Sequence, residues 1–194
     1  VIHVWYRKNS LGHYIRYIQL EKSRLKPPGP RYMFEIMEGK GLMYFYPLPS
    51  RGSTQLVEDD KLGVTMLTKS VICAHAERTK KLIEKLTKIK DEAIFVKIGH
   101  WTSFHGLDVQ EHQMYIVKTF HDIFKLYDDL ATGRLKAKYL VVGGLLNVHE
   151  EDKLEYIYAL YSTLSFVDFL VFVAVGPLEE TRRMEKYCDE VVTA

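Results

Sequence analysis

Three groups of residues in this 194-residue chain have types and spacings that chemistry uses. The first is Pro47-Leu48-Pro49-Ser50-Arg51-Gly52-Ser53-Thr54, which falls in the frame of a phosphate-binding loop, G-x-x-x-x-G-K-S/T. Gly52 and Thr54 match it, Pro47 replaces the first glycine, and Ser53 replaces the lysine. Such a loop cradles phosphate with successive backbone N–H groups. Prolines at 47 and 49 delete two of these donors and fix φ. Without the lysine the β- and γ-phosphates lose their point charge, and only Arg51 stands near to replace it. Pro47, Ser50, Arg51, Gly52, Ser53 and Thr54 therefore read as a degenerate phosphate loop, with a plain surface turn as the alternative.

The second group is basic. Arg7, Lys8, Arg16, Lys22, Arg24, Lys26 and Arg31 face a single acid, Glu21, in the first 31 residues, a balance of +6 against −4 for the remainder. Tyr14 and Tyr17, with Trp5 and Tyr6, are interleaved among the cations. Cations neutralise phosphate and aromatic rings stack on bases, as single-strand binders require. Arg7, Lys8, Arg16, Lys22, Arg24, Lys26, Tyr14 and Tyr17 are thus candidate nucleic-acid contacts. Two alternatives are an edge β-element with solvated cations and an arm that adds to a partner's sheet edge.

The third group does less. His100, His105 and His112 are spaced by five and seven, which is not a usual ligand spacing, and no metal is expected. Ser103 lacks a nucleophile-elbow sequence. The acids Asp59-Asp60, Asp128-Asp129 and Glu150-Glu151-Asp152 read as loop or helix-end charges. Cys73 and Cys188 read as packing residues. With only these two cysteines, a disulfide scaffold is not expected and a cytoplasmic location is. No apolar run reaches the length of a membrane span, and no membrane partner is expected. Scarce amides (two Asn, four Gln) beside abundant Lys, Glu, Ile and Tyr fit a thermophile.

The elements that must hold these groups follow from punctuation and period. Lys26-Pro27-Pro28-Gly29-Pro30 separates a β-rich basic arm, residues 1–31, from a core, residues 32–194. Strands are expected at residues 1–6, 42–46, 70–74, 93–98, 138–143 and 168–175. Residues 14–20 read as a strand or a short helix. Helices are expected at 78–89, 108–132, 151–164 and 178–191. Continuously apolar strands alternating with helices predict a three-layer α/β sandwich with a mainly parallel central sheet. Ligands in such sheets bind beyond the carboxyl ends of the strands. That rule selects the loops at 47–54, 75–77, 99–105, 143–147 and 176–179.

The order of these elements resembles the RecA/RadA recombinase core, a superfamily that includes archaeal RadA paralogs and KaiC-like proteins. The residues that carry the likeness are the 47–54 frame, Ile72-Cys73-Ala74-His75-Ala76-Glu77, the Leu140-Val141-Val142 strand, and Cys188-Asp189-Glu190-Val191-Val192. Glu38-Gly39-Lys40-Gly41 resembles the family's lead-in to its first core strand. The resemblance implies a RecA-like fold and places Glu77 where these ATPases keep the acid that activates water. The chain departs from the family where it matters for hydrolysis: the phosphate lysine is missing, and Gly143-Gly144 follows the fourth strand where a magnesium-binding acid belongs. The expectation is a non-catalytic accessory protein of DNA recombination or repair, whose partner is DNA or a RecA/RadA-type recombinase, with homo-oligomers allowed. No cofactor is expected, with low-affinity ATP as the exception. The alternatives are a KaiC-like regulatory scaffold without DNA binding and an atypical nucleotide-binding ATPase.

Overall fold

The computed structural model describes residues 1–21, 27–45, 53–99 and 104–193. Four strands open the chain: β1 (Ile2–Lys8), β2 (Tyr14–Leu20), β3 (Arg31–Met37) and β4 (Gly41–Phe45). They form one antiparallel sheet in sequence order. A two-stranded hairpin follows, β5 (Leu56–Asp59) and β6 (Val64–Leu67), and then β7 (Ser70–Ala76) and α1 (Thr79–Ile89). The remainder is β8 (Ala93–Ile98), β9 (Met114–Val117), α2 (His121–Ala131), β10 (Tyr139–Gly143), α3 (Glu150–Tyr161), β11 (Phe169–Val175), α4 (Leu178–Thr181) and β12 (Glu190–Thr193).

The strands β7, β10 and β11 are apolar at almost every position and buried along almost their whole length. They form the middle of a six-stranded sheet with the order β12-β7-β11-β10-β8-β9, every neighbour parallel. One face, with Ile72, Phe95, Val141 and Val171, is covered by Leu82, Leu86 and Ile89 of α1 and by Leu62 and Met66 of the hairpin. The opposite face, with Val71, Val96, Leu140, Val142 and Phe172, is covered by α2 and α3. This is the parallel sheet flanked by helices that the apolar strands predict.

The four-stranded sheet adds a further layer. Phe45 stacks on Phe124 of α2 with ring centroids 4.1 Å apart, and Ile15, Tyr17 and Met33 join the same core. Helix α3 lies between the two sheets. Its Asp152, Glu155 and Tyr156 meet the antiparallel sheet, while Tyr161 stacks on Phe172 of β11. This is why both apolar and charged residues of α3 are buried and the helix shows no clean amphipathic stripe.

Several expectations are corrected. Residues 1–31 are not a separate arm, because β2 pairs with β3 and the sheet continues to Phe45. The strand at 42–46 therefore belongs to the antiparallel sheet, not to the parallel one. The long helix at 108–132 is replaced by a 3₁₀ turn at Glu111–Gln113, strand β9, and α2. Met-Tyr-Ile-Val suits a sheet edge beside β8. The Asp122 carboxylate accepts the N–H groups of Lys118 and Thr119, which fixes where α2 begins. The final helix stops at Thr181, passes through a 3₁₀ stretch at Arg182–Tyr187, and gives way to β12. Asp189 sets that strand's register: its carboxylate accepts the Val71 N–H at 2.8 Å, and its own N–H donates to the Val71 carbonyl.

The cysteines are also not free packing residues. Cys73 of β7 and Cys188 form a disulfide, with Cα atoms 5.7 Å apart and 115 residues between them in sequence. The ground for a reducing compartment is thereby lost. Among the described residues, no helix is long and apolar enough to cross a membrane.

Candidate functional site

Chain order and strand order together give topological switch points at two places, between β8 and β10 and between β7 and β11, and the second opens into a cleft. From β7 the chain crosses rightward through α1, over one face, to β8. From β11 it crosses the other way through α4 to β12, on the opposite face. The carboxyl ends of β7 and β11 therefore part the layers between them, which is where ligands of parallel sheets bind.

A cleft of about 250 Å³ opens there. Its walls are His75, Ala76 and Glu77 at the end of β7, Lys81 on the first turn of α1, Gly176, Leu178 and Thr181 after β11, and Thr193 of β12. Gly176 has φ +149°, a conformation that favours glycine, and its N–H bonds the Ala76 carbonyl at 3.1 Å, pinning the two strand ends together. Helix α1 starts at Arg78 with no side-chain cap, leaving its first N–H groups without a side-chain acceptor at their entrance.

His75 is the distinctive group. Its side chain is 3% exposed, and Nδ1 lies 3.8 Å from the Glu185 carboxylate. The other nitrogen, Nε2, is buried and has no hydrogen-bond partner among the described residues. Burial holds the imidazole below its usual range, and Glu185 offsets only part of that. A buried polar nitrogen left without a partner costs free energy that a ligand recovers. Lys81 adds a positive charge and α1 a positive dipole end at the same cleft. Glu77 sits on the rim, exposed.

The other predicted residues are dispersed. Residues 47–52 of the phosphate-loop frame, including Pro47, Ser50, Arg51 and Gly52, lie outside the described residues. Ser53 and Thr54 are exposed and lead into β5, not into a helix. Gln55 and Thr68 exchange hydrogen bonds that close the β5–β6 hairpin behind them. The frame is thus corrected: it joins an antiparallel strand to a hairpin, and the strand-to-helix turn of the parallel sheet is at residues 77–78.

The basic segment is also rearranged. Arg7 donates to the buried carboxylates of Asp152 and Glu155 in α3. Arg16 grips both oxygens of Glu35 at 2.5 Å. Tyr17 is buried and donates its hydroxyl to Glu155, and burial pushes its pKa up to about 12. Burial works against the charge on Asp152, but the Ser10 N–H and Arg7 hold its carboxyl below the usual range. Arg7 and Tyr17 thus join the sheet to α3, and Arg16 is paired within the sheet. Of the remaining candidates, Lys8 lies near the Tyr14 ring and both are exposed, while Lys22, Arg24 and Lys26 lie outside the described residues. His105 and His112 are exposed, and His100 lies outside the described residues.

His75 is the residue that sequence reasoning passed over. Its signal was present: a lone histidine in an otherwise apolar buried strand, at a strand end that the carboxyl-edge rule had selected. No known protein family model matches this chain, and no curated protein does either.

Proposed function

We propose that this protein acts by binding, and that the seat of binding is the cleft at the ends of β7 and β11, which takes a small anionic ligand of the phosphate-bearing class. The observation that carries the reading is the buried, unpartnered Nε2 of His75 at a topological switch point. Protonated, it donates to an anion from within while Glu185 faces Nδ1. Lys81 and the start of α1 add positive charge on one wall, opposed by the carboxylate of Glu77 on the rim. Glu77 on the rim has the position, but not the neighbours, of a water-activating acid, so binding without turnover is the simpler reading.

A RecA-like ancestry for the core, and an accessory role in recombination or repair, belong to the same proposal. The parallel sheet with helices on both faces supports it. Because Arg7 and Arg16 are matched to carboxylates, a recombinase-type protein is a better-supported partner than DNA.

Calorimetry with ATP, ADP and inorganic phosphate, each with and without Mg²⁺, tests the site. Binding is expected to strengthen as pH falls from 8 to 6, because an anion favours the imidazolium. His75→Ala or Lys81→Glu should each weaken it about 10-fold or more, the value of one charge-assisted hydrogen bond. No binding of any of the three, or binding indifferent to both substitutions, overturns the reading.

A further inference from the structure

A four-stranded antiparallel sheet packed on one face usually turns polar residues to the other. Here both sides are largely apolar. The side of the sheet against α2 and α3 carries His3, Arg7 and Glu35 among its apolar groups. The side facing away is built in rows by the strand register: Ile2 beside Leu20; Val4, Ile18 and Tyr32; Tyr6, Arg16, Phe34 and Tyr44; Lys8 beside Tyr14; Ile36 beside Leu42. Of these thirteen positions only Arg16 and Lys8 are charged, and Arg16 is already bound to Glu35.

Most of this face is open. Tyr6 is 69% exposed, Ile36 67%, Ile2 66% and Val4 54%. Tyr14, Leu42, Tyr44 and Leu20 are also exposed. At about 150–250 Å² per aromatic ring side chain, the three exposed tyrosines alone present about 300 Å². The aliphatic residues bring the face to the order of the 800 Å² that each partner buries in a stable complex, beyond the roughly 300–600 Å² of the largest patch on an ordinary monomer.

We infer that this face is the interface of a homodimer, in which the outer faces of two four-stranded sheets pack against each other about a two-fold axis. Three features select a second copy over other occupants. Interfaces between unlike, separable partners are about as polar as the rest of a surface, whereas homodimer cores are apolar and poor in charge. A two-fold contact needs a patch that complements itself, and a near-neutral apolar face does so without opposing charges. Nucleic acid would require cations, and among the described residues the strands of this face offer only Lys8 beyond the paired Arg16. Face-to-face packing of twisted antiparallel sheets at about 10 Å is a standard way to fill such a layer. The inference is independent of the cleft, which lies on the parallel sheet.

Sedimentation velocity on the full chain from 1 to 100 µM tests it, together with hydroxyl-radical footprinting over the same range. A dimer is expected, with Tyr6 and Tyr44 losing labelling as it forms. Tyr6→Glu and Val4→Lys, at exposed positions, should raise the dimer dissociation constant about 100-fold or more, because each buries a charge against its own copy. A monomer at every concentration overturns the inference. So does a dimer in which Tyr6 and Tyr44 stay fully labelled, a result that does not depend on how the variants fold.

Discussion

The six-stranded sheet is walled on one face by α1 and the β5–β6 hairpin and on the other by α2 and α3, whereas among the described residues the four-stranded sheet has a wall on one face only. Both are rich in Val, Ile, Tyr and Phe. In the first sheet that composition is satisfied within the chain. In the second, half of it faces outward. Apolar content alone therefore does not tell a core from an interface. What separates them is whether the chain supplies a second covering layer.

The largest effects should fall in the parallel sheet. Leu140→Ala on β10 removes a fully buried side chain and should cost about 2–5 kcal/mol in chemical denaturation. Val4→Ala on the open face should change monomer stability by no more than about 0.5 kcal/mol while weakening self-association. Equal costs at the two positions would erase the distinction drawn above. Breaking the disulfide by Cys188→Ser should lower stability by about 2–5 kcal/mol, read as a shift in the denaturation midpoint. A smaller, more local loss is expected from Asp152→Asn, which leaves the Arg7 guanidinium and the Ser10 N–H with a weaker partner, at about 1–3 kcal/mol. Backbone amide exchange in β1 and β2 should then speed up before that of β7 and β11; simultaneous acceleration would show the two sheets to be one cooperative unit.

The pH dependence is the smallest effect. Burial lowers the pKa of both His75 and His13 below the ordinary 6.5. The unfolded chain then binds more protons than the folded one, so stability is full above about 6.5 and declines as pH falls below it. A second decline at lower pH is expected from Asp128 and Asp152. Lys40 and Arg134 depress the first; Ser10 and Arg7 depress the second against its burial. Their contribution is present above the ordinary carboxylate range and lost as pH falls through the folded values. Melting curves from pH 8 to 3 resolve the two steps, and His75→Gln should flatten the first.

The parallel sheet was legible because β7, β8, β10 and β11 are continuous apolar runs, and α1 because Leu82, Leu86 and Ile89 repeat on one face. Residues 114–117 were misread because Ile116 falls in phase with Phe120, Ile123 and Phe124; only pairing with β8 makes a strand of them. The pairing of Arg7 was not legible because charge is read locally, while Asp152 and Glu155, which neutralise it, lie about 145 residues away. The candidate site was half legible. The carboxyl-edge rule selected residues 75–77 and 176–179, but the phosphate-loop frame drew attention to residues 47–54, whose described part, Ser53 and Thr54, leads into β5.

The bridge between Cys73 and Cys188 has a consequence for motion. β12 is an edge strand of the six-stranded sheet, and Cys188, just before it, is tied to the middle of β7. The covalent link therefore fixes the start of β12 against β7, and the strand runs from there to Thr193 at the cleft.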